Sequence, residues 1–438
     1  MLPTLFLSEG KGFMVALVVC VLLVGLMVIG VPVASAMGVT SMSVFAALGQ
    51  GAFLPVMAQR IYVGTTSFTM LAIPFFLLAG NLMNNGGITD RIFKFAQAVC
   101  GHWPGGLAQV NIFSSVIFSG MSGAAVADAA GLGVIEMKAM DDAGFDHTFS
   151  AGITAASSTI GPVIPPSIPM VVYASITSVS VGKMFMAGFI PGLMMAVAMA
   201  ISVYFVSKKR HFPVQPKMPW NLRFRYFLDA VPSLFTVVII IGGIWGGLFT
   251  PTEAAVVACA YACILGIVYH ELNWKNFRET LYTSMIQSVK TLYIIAVANF
   301  LAYFLQHQKI PDVIIGGMTS ISNNPVVLML IIIFVLLVLG LFIEGTAVIL
   351  IATPIFMPIV TRIGVDPVQF GIVMVLASMI GLLTPPVGMS LYAVSSICGV
   401  DLISLSKAVL PYVIGITIVL LVCAFCPAFT LWLPSMFA

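Results

Sequence analysis

Two stretches of this 438-residue sequence place hydroxyl side chains next to glycine and paired proline in the same order. The first is Ser157-Ser158-Thr159-Ile160-Gly161-Pro162-Val163-Ile164-Pro165-Pro166-Ser167, and the second is Gly381-Leu382-Leu383-Thr384-Pro385-Pro386. Proline has no N–H and clashes with the carbonyl one turn back, so it leaves carbonyl oxygens unpaired upstream. Freed carbonyls together with Ser and Thr hydroxyls form an uncharged cage of oxygens, which suits a weakly held monovalent cation such as Na⁺. A broken helix also aims N-terminal N–H groups inward, where they favour an anion.

Each stretch is preceded by a second kind of break. An apolar run meets a small, polar tip and turns back, at Phe118-Ser119-Gly120-Met121-Ser122-Gly123-Ala124-Ala125 and at Leu341-Phe342-Ile343-Glu344-Gly345-Thr346-Ala347. About twenty residues later the chain reaches charged or turn residues, Lys138, Asp141 and Asp142 in one case and Arg362, Gly364 and Asp366 in the other. The pattern predicts a re-entrant helical hairpin followed by an interrupted helix, twice. An isolated break is commonly a packing kink. Two hairpin-plus-proline units in matching positions argue for a site, because irregular backbone at membrane depth is tolerated only against protein or a water-filled cavity.

Other chemistries are excluded or unsupported. No G-x-x-x-x-G-K-[ST] sequence occurs, so the chain carries no Walker-type ATP site. The five histidines are scattered, and His-x-x-x-His is absent. The seven cysteines lie mostly in apolar runs; Cys423 and Cys426 have C-x-x-C spacing inside a predicted helix and read as packing residues. No base, nucleophile and orienting group cluster as an enzyme requires. Asp128, Glu253 and Glu344 lie in or beside apolar runs, where an ionisable group is costly and faces a cavity or a partner. Glu253 follows Thr250-Pro251-Thr252, a helix-start signal, and reads as a first-turn acid.

The elements that must hold these residues are membrane helices. The sequence is 60% hydrophobic and 8% charged, against about 25% charged in a soluble domain. A bilayer core needs about 20 apolar residues per helix; residues 13–31, 184–206, 230–249, 326–343 and 408–433 are candidates. The first is longer than a signal-peptide core of roughly 7–15 residues and is expected to be retained as a transmembrane helix. The short alternating segments of a β-barrel are missing.

The chain also repeats itself. Pro385-Pro386 follows Pro165-Pro166 by 220 residues, and Gly381 follows Gly161 by the same interval. Tyr392-Ala393 follows Tyr173-Ala174 at 219, Pro411 follows Pro191 at 220, Gly345 follows Gly123 at 222 and Asp312 follows Asp90 at 222. The repeats span residues 10–206 and 229–433, with hairpins at about 110–143 and 328–361, joined by a linker over 207–228. Lys208, Lys209, Arg210, Lys217, Arg223 and Arg225 place that linker in the cytoplasm, while the tail beyond Lys407 lacks Lys and Arg. With both termini periplasmic, each half crosses an odd number of times and the halves are inverted, an arrangement typical of secondary transporters. A channel would need a continuous polar pore line, whereas the polar residues here concentrate at two tips. Nothing points to nucleic acid.

At these residues the sequence resembles the large membrane subunits of TRAP (tripartite ATP-independent periplasmic) transporters, the DctM type. The resemblance rests on Leu71-Ala72-Ile73-Pro74-Phe75-Phe76, Gly86-Gly87-Ile88, Gly101-His102-Trp103-Pro104-Gly105-Gly106-Leu107, Ser122-Gly123, Ala127-Asp128, Ile164-Pro165-Pro166-Ser167-Ile168-Pro169 and Phe185-Met186-Ala187-Gly188. It covers about residues 65–410. One departure is Ala124, where the family often has a second serine. The resemblance implies an all-α elevator-type carrier with a scaffold and a moving transport domain in the bacterial inner membrane. It implies sodium coupling, a small membrane subunit and a periplasmic substrate-binding protein. It also places Asp128 and Glu344 near the transport machinery. Another elevator family, the divalent-anion/sodium symporters, is the alternative; it works alone.

The expected cargo is a small organic acid anion, a sialic acid, C4-dicarboxylate or similar, held near Ser122, Asp128, Ser167, Glu344 and Thr346. Two sodium sites are expected. One uses Ser119, Gly120, Ser122 and Gly123 with Ser157, Ser158, Thr159 and carbonyls before Pro165; the other uses Gly345 and Thr346 with Thr384 and carbonyls before Pro385.

Overall fold

The computed structural model of the chain describes residues 2–53, 55–210 and 212–436, with side chains described from residue 14 onward apart from those of residues 28, 121 and 122. The described residues form helices and connecting loops, with no strand among them. Among the described residues seven helices are long and apolar enough to cross a membrane: Phe68–Asn85, Val181–Arg210, Trp220–Trp245, Pro251–Val268, Trp274–His307, Gly345–Arg362 and Leu402–Phe425. Trp274–His307, at 34 residues, is about 51 Å long at 1.5 Å per residue, well beyond the roughly 30 Å hydrocarbon core.

Helix ends are set by local chemistry. Thr250 and Glu253 form a reciprocal capping box around Pro251, so Glu253 closes a helix N-terminus as its position suggested. Asn324, Asp366 and Asp401 accept hydrogen bonds from Val326, Val368 and Ser404 N–H groups and open the Pro325–Gly340, Pro367–Leu382 and Leu402–Phe425 helices. Such caps matter in a membrane, where water cannot satisfy the free N–H groups of a first turn.

Two groups of helices can be distinguished by packing. In one, Trp274–His307 lies against Val33–Ala47, Val56–Thr65 and Ala72–Asn85, and Pro251–Val268 packs on Ala72–Asn85. Asn81 donates to Ser284 at 2.9 Å and to Gln287 at 2.8 Å, and Asn85 donates to Thr280 at 2.7 Å, tying that group together. The other group contains the two tip-and-break units. Its cross-packing is reciprocal. Ile168–Thr177, the helix after the first proline break, packs on Gly345–Arg362, the helix after the second tip. Met389–Cys398, the helix after the second proline break, packs on Ala125–Ala130, the helix after the first tip. Likewise His147–Ser157 packs on Leu402–Phe425 while Pro367–Leu382 packs on Val181–Arg210.

Helices in lipid gain little from hydrophobic association and rely on close backbone approach and hydrogen bonds. Small residues sit at the tightest crossings. A methyl group added at Gly381 would stand 2.5 Å from the Gly340 Cα, and one at Gly152 would stand 2.8 Å from the Ala408 Cβ. Tyr173, fully buried, donates its hydroxyl to the Pro367 carbonyl at 2.7 Å and joins the two units.

The basic segment is docked rather than free. Gln215 N–H donates to the Gly101 carbonyl at 3.2 Å, and Phe212 stacks on Phe145 at 4.9 Å and lies against Phe149 at 4.4 Å. Its extended stretch ends at Pro219, and the helix Trp220–Trp245 takes in Arg223 and Arg225. Residues 212–219 are the extended part of the segment between the two helices. Pro219 fixes an extended residue just before the helix, and nothing after it stops helix formation.

Candidate functional site

Each tip is a short irregular stretch between helices. Leu107–Ser122 ends at Gly123, whose φ of +65° is a left-handed conformation that glycine adopts at no steric cost. Ala124 is extended, and Ala125–Ala130 starts the return. The break falls at Gly123, so Ser119 and Gly120 belong to the last helical turn rather than to the tip. The Ser119 hydroxyl donates to the Val116 carbonyl at 2.6 Å, and Gly120 makes room for Val237. The Ser122 side chain lies outside the described residues.

The second tip closes differently. Pro325–Gly340 ends, residues 341–344 turn, and Gly345–Arg362 begins with Glu344 as its cap. The Glu344 carboxylate accepts from the Ala347 N–H at 3.2 Å and from the Thr346 hydroxyl at 2.9 Å. Thr346 thus spends its proton on Glu344 and keeps its oxygen lone pairs for another partner.

The breaks lie behind the tips. Residues 161–167 leave helical geometry and carry a cis Pro165–Pro166 bond, and residues 383–388 do the same around cis Pro385–Pro386. Ser157, Ser158 and Thr159 donate to the carbonyls of Thr154, Ala155 and Ala156 at 3.2, 2.9 and 2.6 Å. Thr384 donates to the Ile380 carbonyl at 2.7 Å. In every case the hydroxyl oxygen retains acceptor capacity. Ser167 caps Ile168–Thr177, accepting from the Met170 N–H at 3.3 Å and donating to the Pro162 carbonyl.

Tip and break meet through missing side chains. A Cβ on Gly123 would stand 2.6 Å from the Pro166 carbonyl oxygen, and one on Gly161 would stand 2.2 Å from an Asp128 carboxylate oxygen. Asp128, only 4% exposed, therefore lays its carboxylate on the backbone of the first break. Behind it, Ser114 pairs with Glu136, itself 1% exposed, and Asn111 donates to Thr154 at 2.9 Å. Glu136 carries a buried carboxyl that the sequence reading did not single out. Its surroundings form only where Leu107–Ser122 and Leu132–Asp142 come side by side.

A cavity of about 110 Å³ opens where these parts converge. Gly123 and Val126 come from the first tip, Pro162 from the first break, Pro169 from the helix after it, and Glu344 and Thr346 from the second tip. Leu77 and Thr291 close it from the other helix group. The structure thus brings Gly123, Glu344 and Thr346 together on one cavity. Asp128, Ser157, Ser158, Thr159 and Ser167 are buried around the first break, while Gly345 packs on Ser378 and Thr384 stands at the second break. Thr291, on an unbroken helix, had no local signal to mark it.

The family model for the DctM component of tripartite ATP-independent periplasmic transporters matches residues 19–429. The chain belongs to the DctM family. Among DctM relatives it is 43% identical to the sialic acid TRAP transporter large permease protein SiaM of Vibrio cholerae, over 94% of this chain and 97% of that protein. It is 34% identical to the C4-dicarboxylate large permease protein DctM of the same organism, over 95% and 96% of the two chains. An isethionate TRAP transporter permease protein of Oleidesulfovibrio alaskensis is 36% identical over 94% of this chain and 64% of that protein. The fold of this DctM protein is also similar to two solved transporters. The YdaH transporter of Alcanivorax borkumensis matches with a TM-score of 0.61 at 14% identity, over 87% of this chain and 89% of that one. MtrF of Neisseria gonorrhoeae matches with a TM-score of 0.58 at 15% identity, over 87% and 84%. This DctM member is a multi-pass membrane transporter subunit and not an enzyme.

Proposed function

We propose that the chain moves a small organic acid anion across the bacterial inner membrane by sodium-coupled symport, as the large membrane subunit of a three-part uptake system. The observation that carries this reading is the cavity on which Gly123, Glu344 and Thr346 converge from the two tips. The cargo class follows from relatives named for sialic acid, C4-dicarboxylates and isethionate, all small anions with carboxylate or sulfonate groups. Sialic acid is the first cargo to test, given the 43% identity to a sialic acid permease protein.

Sodium fits the donor set. Ser157, Ser158, Thr159 and Thr384 have given their protons to carbonyls of their own helices, so they meet a cation with lone pairs. Ser119, Gly120, Ser122 and Gly123 with Ser157, Ser158 and Thr159 would hold one ion, and Gly345, Thr346 and Thr384 the other. Asp128 and Ser167 would back the anion subsite formed with Ser122, Glu344 and Thr346.

The inverted-repeat reading gains support from element starts. Ile88, His147, Ile168 and Val181 open helices in the first half, and Ile310, Pro367, Met389 and Leu402 open helices 220–222 residues later. The reciprocal cross-packing has the form expected of a pseudo-twofold. In an elevator motion the unit bearing tips and breaks slides against the group containing Leu77 and Thr291. A small membrane subunit and a periplasmic binding protein complete the system.

Reconstitution tests this function. Proteoliposomes holding the chain, its small subunit and its binding protein should take up sialic acid when an inward sodium gradient is imposed, and little otherwise. Full uptake by the chain alone would instead favour a stand-alone carrier of the divalent-anion/sodium symporter kind. Uptake indifferent to sodium would overturn the coupling.

A further inference from the structure

Away from the central cavity, a second cavity of about 200 Å³ lies between the ends of three helices, Val181–Arg210, Leu402–Phe425 and His147–Ser157. Arg210 is the last residue of its helix and Lys407 lies in the second turn of another, so both stand near the ends of long apolar helices. Arg210 donates to Asp146 at 3.2 Å. Tyr412 lines the same cavity; it is 1% exposed, and its hydroxyl has no hydrogen-bond partner.

The inventory of donors and acceptors is unbalanced. Lys407 and Arg210 can only donate, and the buried Tyr412 hydroxyl needs an acceptor. Asp146 is the one anion among the described residues of the wall and is engaged by Arg210. The exposed Lys407 ammonium at the mouth has no anion beside it among the described residues. An anionic oxygen entering between Lys407 and Tyr412 would satisfy both. Val206 and Pro411 make the neighbouring wall apolar. A charged floor at interface depth with an apolar flank matches a phospholipid phosphate and the first carbons of its chains; basic pockets between transmembrane helices bind anionic headgroups on this basis.

We infer that the Lys407–Tyr412–Arg210 cavity is a binding site for the phosphate of an anionic phospholipid. Occupancy would bridge the ends of three helices, two from the first half of the chain and one from the second.

Thermal unfolding of the full chain in neutral detergent tests the site, with phosphatidylglycerol, phosphatidylcholine or inorganic phosphate titrated in. Phosphatidylglycerol should raise the melting temperature saturably. Lys407→Gln should raise the half-saturating phosphatidylglycerol concentration about fivefold. Tyr412→Phe, which keeps the ring and its packing, should shift it in the same direction. Lys275→Gln, an exposed lysine outside the cavity, should behave as wild type. Absence of a phosphatidylglycerol effect on the wild type, or an equal effect on wild type and Tyr412→Phe, would overturn the site. So would equal stabilisation by phosphatidylcholine. The same saturable rise with inorganic phosphate alone would overturn the lipid as its source.

Discussion

Gly123 and Pro166 touch backbone to backbone: a methyl group on the Gly123 Cα would stand 2.6 Å from the Pro166 carbonyl oxygen. The tip of the first unit is therefore seated on its own proline break.

Gly123→Ala is expected to lower both stability and uptake. The φ of +65° alone costs an alanine roughly 1–2 kcal/mol, and the overlap with a main-chain oxygen adds to it. Gly144→Ala is the control, since Gly144 has φ of +85° and open space around its Cα. Melting in detergent and proteoliposome uptake should show Gly123→Ala well below Gly144→Ala. Equal behaviour would mean that the tip does not rest on the break.

The second unit has its own tight point, and it is asymmetric. A Cβ on Gly381 would stand 2.5 Å from the Gly340 Cα, whereas one on Gly340 would stand 3.0 Å from the Gly381 Cα. Gly381→Ala must push the helix leading to Glu344 further away than Gly340→Ala does. The expected order of melting temperatures is wild type, then Gly340→Ala, then Gly381→Ala. The reverse order would contradict the described crossing.

A pH dependence is expected at the linker. The Arg223 guanidinium lies 3.1 Å from His102 Nδ1 and donates to it when the imidazole is neutral. Burial, with the charges of Arg223 and Lys217, holds the His102 imidazole below its ordinary value of 6.5. A base whose folded pKa is depressed binds fewer protons when folded, so its contribution is present above pH 6.5 and is lost as pH falls. Melting temperature measured from pH 8 to pH 5 should fall at the acid end, and His102→Gln should flatten that slope. An unchanged slope in His102→Gln would detach His102 from the effect.

The proposed topology has the basic cluster in the cytoplasm and both ends outside. Cysteines introduced near each end of the chain should react with an impermeant thiol reagent from the periplasmic side. Cysteines in the stretch before Pro219 should react only from the cytoplasm. Labelling of the linker and either end from one side would remove the inverted repeat.

The breaks and tips were legible because glycine, proline and hydroxyl side chains act on the backbone next to them. Glu253 was legible as a cap for the same reason. Features made by packing were not. Glu136 meets Ser114 across two arms of the first unit, and Thr291 enters the cavity from a helix with no break. Trp274–His307 does not read as a span in the sequence because Lys275, Arg278, Glu279 and Lys290 interrupt its apolar run. The span expected over 326–343 shortens to the 16-residue helix Pro325–Gly340, because the turn into Glu344 begins before the apolar residues end. Apolar composition alone does not reveal where a helix stops.

In the proposed function the cavity shared by Gly123, Glu344 and Thr346 holds the organic anion, with the second sodium ion at its Thr346 side. The most direct test is the sodium dependence of sialic acid uptake by wild type, Thr346→Ser and Thr346→Ala in the full reconstituted system. Losing a hydroxyl ligand costs about 1–3 kcal/mol, or roughly a 5- to 150-fold loss of affinity. Thr346→Ala should raise the sodium concentration for half-maximal uptake by a factor in that range, while Thr346→Ser, which keeps the oxygen, stays near wild type. A wild-type sodium dependence in Thr346→Ala would show that the second tip is only a packing element.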